Sequence, residues 1–305
     1  MNTPRTPTLF DELLSRHAPH APRALHPLHP LRSPNAPHAP RTTADAANTL
    51  REVMQQITLA GLWRGGFFAK AAFYGGTCLR LFHAAERFSE DMDFSLLAPD
   101  ENFSLETYFD AITTEFKSLG RDVVISKKEK KRATNVESAF LKDDTSLYNL
   151  HFKSERKVKI KIEVDIRPPP GFSTEQKLSL QPFSFMTRCY TLPDLYAGKM
   201  HALLFRAWQK RVKGRDWWDW EWYVRKNVPL NLGHLGARIC QFNPAHPIGN
   251  LTREKLLALL RERIRKTDIE AAKADVRPFI QNAESLEIWT KDYFRQLAEK
   301  IRFVE

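Results

Sequence analysis

The feature that most constrains this chain is a Gly-Gly pair followed, about one helix later, by two aspartates at i and i+2 inside an apolar run. It reads FYGGTCLRLFHAAERFSEDMDFSLL over residues 73–97. In a strand, alternate side chains leave on one face, so Asp91 and Asp93 point together while Met92 and Phe94 turn into a core. Adjacent carboxylates repel unless a cation lies between them. Gly75 and Gly76 let the backbone approach a phosphate, and a helix opening at Thr77 offers unpaired N–H groups and partial positive charge. A strand–turn–helix–strand unit of this kind is expected to do phosphate chemistry around one or two Mg2+ ions.

The rest of the chain organises around that unit. Residues 1–43 carry His17, His20, His26, His29 and His38 among seven prolines from Pro19 to Pro40. Proline at that density disfavours helix and sheet, so a flexible arm is expected, with residues 9–16 as its one short helix. Such an arm serves as an RNA or partner contact, or has no role; its histidines lack a fixed ligand spacing. Asp45 is placed to cap a helix with Leu50, Val53, Met54 and Ile57 on one face. A strand at 71–74, a helix at 77–84, a strand at 91–97 and a helix at 105–119 follow. Strands are then expected at 123–127, 147–152 and 158–166. The last, VKIKIEVDI, alternates most cleanly. After the breaker at 168–171 comes a polar loop, and Pro193 opens a helical region. The fold class is therefore α+β, a mixed sheet flanked by helices with a helical C-terminal domain. The expected units are 1–43 (arm), 44–190 (catalytic domain) and 191–305 (helical domain).

In the strand ending Glu163-Val164-Asp165-Ile166, the residues Lys161, Glu163 and Asp165 share one face. Asp165 is the expected third carboxylate and general base beside Asp91 and Asp93. Mg2+ needs only two or three carboxylates when substrate phosphates supply further oxygens. Lys199 stands on a helix with Arg206 two turns on, a compact cation suited to a triphosphate. Asp216 and Asp219 share a helix face. The rings Trp217, Trp218, Trp220, Trp222 and Tyr223 surround that helix, so they pack against later helices or leave one ring to stack a base. Ser89 precedes Asp91 by two positions on the expected metal side. A phosphate on Ser89 would set a dianion against the acidic pair.

The order hG[GS], DhDh, hDh resembles the nucleotidyltransferase superfamily of polymerase β and the CCA-adding enzymes. GGTCLR followed by RFSEDMDF resembles more closely the AbiEii/AbiGii-type nucleotidyltransferase toxins of bacterial toxin–antitoxin systems. A second block, Lys199 with Ala202 and Arg206 and then KGRDWWD at 213–219, extends the likeness to about residues 73–219. The resemblance implies a polymerase-β-like core. It implies Gly75, Gly76 and Thr77 at the phosphate turn, Asp91 and Asp93 on metal, and Lys199 near the triphosphate. It also implies Asp219, with Arg215 and Asp216, as the acidic end of the last motif, and Arg80 and Arg87 as basic positions that hold phosphates or shape the turn. The third acidic position varies in the family. The implied activity is transfer of a nucleotide from an NTP to an RNA acceptor, in characterised cases the 3′ end of tRNA, which stops translation. A cognate antitoxin is implied as partner.

A formal charge of +11 over 305 residues favours a polyanionic partner. Basic clusters at 127–132, 153–161 and 210–215, with Arg261, Arg263, Arg265 and Lys266, either contact RNA phosphates or are merely solvated. Three scattered cysteines without a CxxC suggest a reducing compartment and no zinc site or disulfide framework. With no apolar run near the roughly 20 residues that span a bilayer, and no secretory leader, a cytoplasmic protein without a membrane role is expected. The alternatives are a small-molecule nucleotidyltransferase, which basic charge disfavours for cationic substrates, and a non-catalytic RNA-binding protein on the same fold.

Overall fold

The computed structural model describes residues 9–16, 43–127, 145–152, 158–206, 212–243, 250–280 and 282–304. The five arm histidines and the basic residues at 128–132, 153–157 and 210–211 lie outside the described residues.

Apolar alternation builds one seven-stranded mixed sheet. Its strands are β1 (Ala71–Tyr74), β2 (Asp91–Leu96), β3 (Val123–Lys127), β4 (Thr145–Phe152), β5 (Lys159–Asp165), β6 (Thr174–Ser179) and β7 (Phe185–Tyr190). They lie in the order β3-β4-β5-β2-β1-β7-β6. β2 runs parallel to β5 and β1 parallel to β7, while the other pairs are antiparallel. Ile160, Ile162 and Val164 of β5 are buried with Met92 and Phe94 of β2 and Phe73 of β1 on one face. Phe67 meets Phe94 edge to face there, 5.0 Å between centroids.

That face is covered by helices α2 (Thr43–Arg64), α3 (Gly75–His83) and α4 (Phe109–Ser118). α2 starts before Asp45, which lies in its first turn. A Cβ at Gly61 would stand 2.6 Å from the Ile112 Cα, so glycine there permits the close crossing of α2 and α4. Ahead of them, α1 (Leu9–Arg16) buries Phe10 and Leu13, and Arg121 lies over the Phe10 ring. This piece of the arm is therefore anchored to the core.

The stretch expected to be a polar loop contains the hairpin β6–β7. β6 is an edge strand and so alternates with polar residues, which masks it; Phe185, Thr187 and Cys189 form the buried face of β7. Helices dominate from Thr191 onward: α5 (Leu192–Phe205), α6 (Gly214–Arg225), α7 (Leu232–Phe242), α8 (Arg253–Lys266), α9 (Ile269–Val276) and α10 (Lys291–Glu299). Pro193 stands in the first turn of α5, where its missing N–H costs nothing. A Cβ at Gly214 would lie 1.8 Å from the Ala272 carbonyl oxygen, so α6 and α9 touch through backbone. A short parallel pair, β8 (Pro229–Leu230) with β9 (Arg302–Phe303), ties the last residues back to α6 and α7.

No helix among the described residues is long and apolar enough to cross a membrane.

Candidate active site

The parallel pairing of β2 with β5 sets Asp91 beside Lys161, Asp93 beside Glu163 and Ser95 beside Asp165. Tyr74 of β1 is the cross-strand partner of Asp93. All these side chains share the sheet face opposite α2. Asp91 and Asp93 thus point together, as expected, but the carboxylate level with them is Glu163. Asp165, the expected third acid, lies two residues further along, opposite Ser95; it is buried and its Oδ1 accepts the Arg167 N–H at 3.2 Å. Alternation places Glu163 and Asp165 on the same face, and only the register between strands chooses between them.

Electrostatics mark the same cluster. Burial first, then the charges of Glu163 and Asp91, push the Asp93 carboxyl up to about 7, against the pull of Lys199 and Lys213. Burial raises Asp91 too, opposed chiefly by Lys161. The Lys161 ammonium forms an ion pair with Glu163. Carboxylates that repel one another in this way favour a cation between them.

The glycine turn abuts the acids. Gly75 has φ +84°, and a Cβ there would lie 2.1 Å from Asp93 Oδ2. At Gly76 a Cβ would lie 2.7 Å from both Arg87 Nη2 and Ser89 Oγ, so Ser89 and Arg87 border the turn. No side chain caps the N-terminus of α3, which leaves its first N–H groups for a ligand. The Thr77 side chain is committed elsewhere: it is buried, and its hydroxyl donates to the Asp91 carbonyl, fixing α3 to β2.

Asp219, on α6, faces three cationic nitrogens. Arg87 donates from Nε to Oδ1 at 2.6 Å and from Nη2 to Oδ2 at 2.7 Å, and Lys199 Nζ stands 2.8 Å from Oδ2. Burial would raise this carboxyl, but the Arg87 and Lys199 charges outweigh it and hold Asp219 well below the usual carboxylate range. Asp219, expected in the catalytic set, thus pairs with both Lys199 and Arg87. Arg80 is similarly occupied: it pairs with Glu52, donates to the Ala85 carbonyl at 3.0 Å and covers the Phe88 ring. Arg215 donates to Glu90 at 3.3 Å and lies 4.1 Å over Phe279.

Lys213, expected only as part of the basic cluster at 210–215, lies near the acids. Its charge reaches both Asp91 and Asp93, and burial, then the cations Arg206, Arg215 and Lys199, lower its ammonium to about 8 despite Asp216. Asp216 itself pairs with Arg206 at 3.2 Å. The motif KGRD contained Lys213, but only the packing shows that its charge turns to the acids. The α6 rings, by contrast, are all buried; Trp217 and Trp220 pack on Phe294, and Tyr223 stacks on Tyr196 at 4.3 Å. None of them is available to stack a base. The cations Arg261, Arg265 and Lys266 of α8 pair with Glu299 and Glu262.

Among the described residues no three His, Cys, Asp or Glu side chains are gathered as a ready-made metal cage. Asp91 and Asp93, with Glu163 beside them, nevertheless fit a magnesium ion, which prefers hard oxygen donors and takes its remaining ligands from substrate phosphates and water.

Known proteins similar to this chain were found in two comparisons. The family described as Nucleotidyl transferase AbiEii toxin, Type IV TA system, matches residues 57–301. Among solved structures the chain is similar to JHP933 from Helicobacter pylori, at 15% identity over 83% of this chain and 90% of that one, with TM-score 0.48. It is also similar to a candidate nucleotidyltransferase from H. pylori, at 17% identity over 82% and 92%, with TM-score 0.44. No curated protein matches.

Proposed function

Because the chain belongs to the AbiEii nucleotidyl transferase toxin family of type IV toxin–antitoxin systems, we propose that it moves a nucleoside monophosphate from an NTP to the 3′ hydroxyl of tRNA, blocking translation. A cognate antitoxin is then its natural partner. The observation that carries this reading is the packing of Gly75 against Asp93 at the point where Asp93 lies level with Glu163.

Each residue has a task in the reaction. The open N–H groups at the start of α3 take the phosphate oxygens, and glycine at 75 and 76 lets them approach. Lys199, steered by Asp219, and Lys213 supply positive charge to the triphosphate. Asp91 and Asp93 would hold magnesium, which when bound neutralises charge on the leaving pyrophosphate. The tRNA 3′ oxygen attacks the α-phosphorus, the bond to the β-phosphate oxygen breaks, and pyrophosphate leaves. Glu163, oriented by Lys161, takes the hydroxyl proton.

Incubating the protein with each labelled NTP, magnesium and total tRNA tests the proposal, with Asp91→Ala and Lys199→Ala as controls. Label in RNA that both variants lose is the expected result. Label in a small molecule would move the chain to the other transferase class, and label nowhere would leave a non-catalytic RNA-binding role.

A further inference from the structure

Arg238 lies on the buried side of α7 and is only 5% exposed, yet it makes no hydrogen bond and no ion pair with any described residue. Its ring contact is a distant one, 5.6 Å from Cζ to the Phe242 centroid. Its Nε is buried without an acceptor, and native structures rarely leave such a group unpaired without a reason. Here the reason lies across the sheet.

The guanidinium lies against the α5 backbone at Gly198, the neighbour of Lys199; a Cβ there would be 3.9 Å from Cζ. Its charge reaches the hydroxyls of Tyr74 and Tyr190, where that of Asp165 opposes it, and the ring of His234, where that of Asp194 opposes it. Tyr74 is the register partner of Asp93, its ring stacks on Tyr190 at 5.3 Å, and the Tyr190 hydroxyl donates to Ser95 Oγ at 2.7 Å. Asp93, the two tyrosines and Arg238 are therefore neighbours between the sheet and α7, with Tyr190 and Ser95 buried among them. The glycine turn, Lys199 and Lys213 occupy the end suited to a triphosphate. Arg238 lies beyond Tyr74 from the glycine turn, on the side toward which the nucleoside would extend.

Given the nucleotidyl transfer proposed above, on which this step rests, we propose that Arg238 reads the base of the incoming NTP. Arginine has donors only, in a planar fork that fits two neighbouring acceptors. Cytosine offers O2 and N3 as such a pair, and guanine offers O6 and N7; each acceptor of adenine on its amino-bearing edges sits beside the amino group instead. Arg238 thus selects cytosine or guanine against adenine.

Calorimetry of the full chain with magnesium and the α,β-methylene analogues of CTP, GTP and ATP decides the matter. The wild type should bind the CTP or the GTP analogue about tenfold or more tightly than the ATP analogue, the size of one good bidentate contact. Arg238→Gln should erase that ranking. Arg238→Lys, which keeps the charge and loses the fork, should erase most of it, and it serves where the glutamine variant fails a thermal melt. A ranking that survives both substitutions, or a wild type that favours the ATP analogue or shows no ranking, overturns the role of Arg238 and leaves the transferase standing. An equal loss for all three analogues with the ranking kept assigns Arg238 to structure and overturns it too. A wild type that binds none of the analogues overturns this inference and the transferase reading together.

Discussion

Arg87 grips Asp219 by both carboxylate oxygens, at 2.6 and 2.7 Å, across 132 positions of sequence. Both side chains are buried, at 3% and 1% exposed, and Lys199 completes the set from α5. One carboxylate therefore aligns the segment before β2, which borders the glycine turn, with two helices of the C-terminal half. The site is assembled by this contact rather than by either half alone.

Breaking the clamp should be expensive. Removing one partner of a buried ion pair leaves a desolvated charge, at a cost of about 3–5 kcal/mol. Asp219→Asn and Arg87→Met should each lower stability by about that amount in urea unfolding. The double variant should fall short of their sum, because only the partly exposed Lys199 is then left without its carboxylate. Strictly additive losses would mean that the two side chains act independently.

Gly75 is constrained twice, by φ +84° and by the 2.1 Å approach that a Cβ would make to Asp93 Oδ2. Gly75→Ala should therefore displace the Asp93 carboxylate while the core under the sheet stays intact. A shift near 1 Å in a reacting geometry costs about a hundredfold in rate. The variant should melt within a few degrees of wild type and yet transfer nucleotide about a hundredfold more slowly. Unaltered turnover would show that the turn has slack.

Much of this was legible in the sequence, and the gaps have physical causes. Asp91, Asp93 and the glycines were readable because their constraints are local, set by strand alternation and by a turn. β7 escaped because Phe185, Thr187 and Cys189 mix apolar and polar types on one buried face, and β6 because an edge strand carries polar residues. Glu163 could not be preferred to Asp165 without the β2–β5 register. Arg80 and Arg87 look alike in the sequence, but one is spent on Glu52 and the other on Asp219. Arg238 carries no motif and is found only by its missing partner.

The raised Asp93 carboxyl makes stability depend on pH when magnesium is withheld. Its folded value of about 7 lies above the unfolded value near 4, so the fold binds that proton more tightly than the unfolded chain does. Its contribution is present in full below about pH 4 and is lost as pH rises through about 7. Asp93→Asn removes the dependence. In EDTA, the melting temperature of wild type should drop relative to the variant between pH 5 and 8, by a few degrees, and magnesium at pH 8 should reverse the drop. Parallel curves for the two proteins would exclude a strained Asp93.

Register makes the sharpest claim about the acids. Glu163 faces Asp93, whereas Asp165 faces Ser95 and has its Oδ1 occupied by the Arg167 N–H. If Glu163 takes the hydroxyl proton, Glu163→Gln should slow transfer by about a hundredfold or more while nucleotide binding persists, since a general base acts only in the transition state. Asp165→Asn should leave the rate within about tenfold and alter stability more than turnover, because its carboxyl is buried opposite Ser95 and holds the Arg167 N–H. Single-turnover rates with saturating nucleotide separate the two. If the asparagine variant is the slower, the proton acceptor is Asp165.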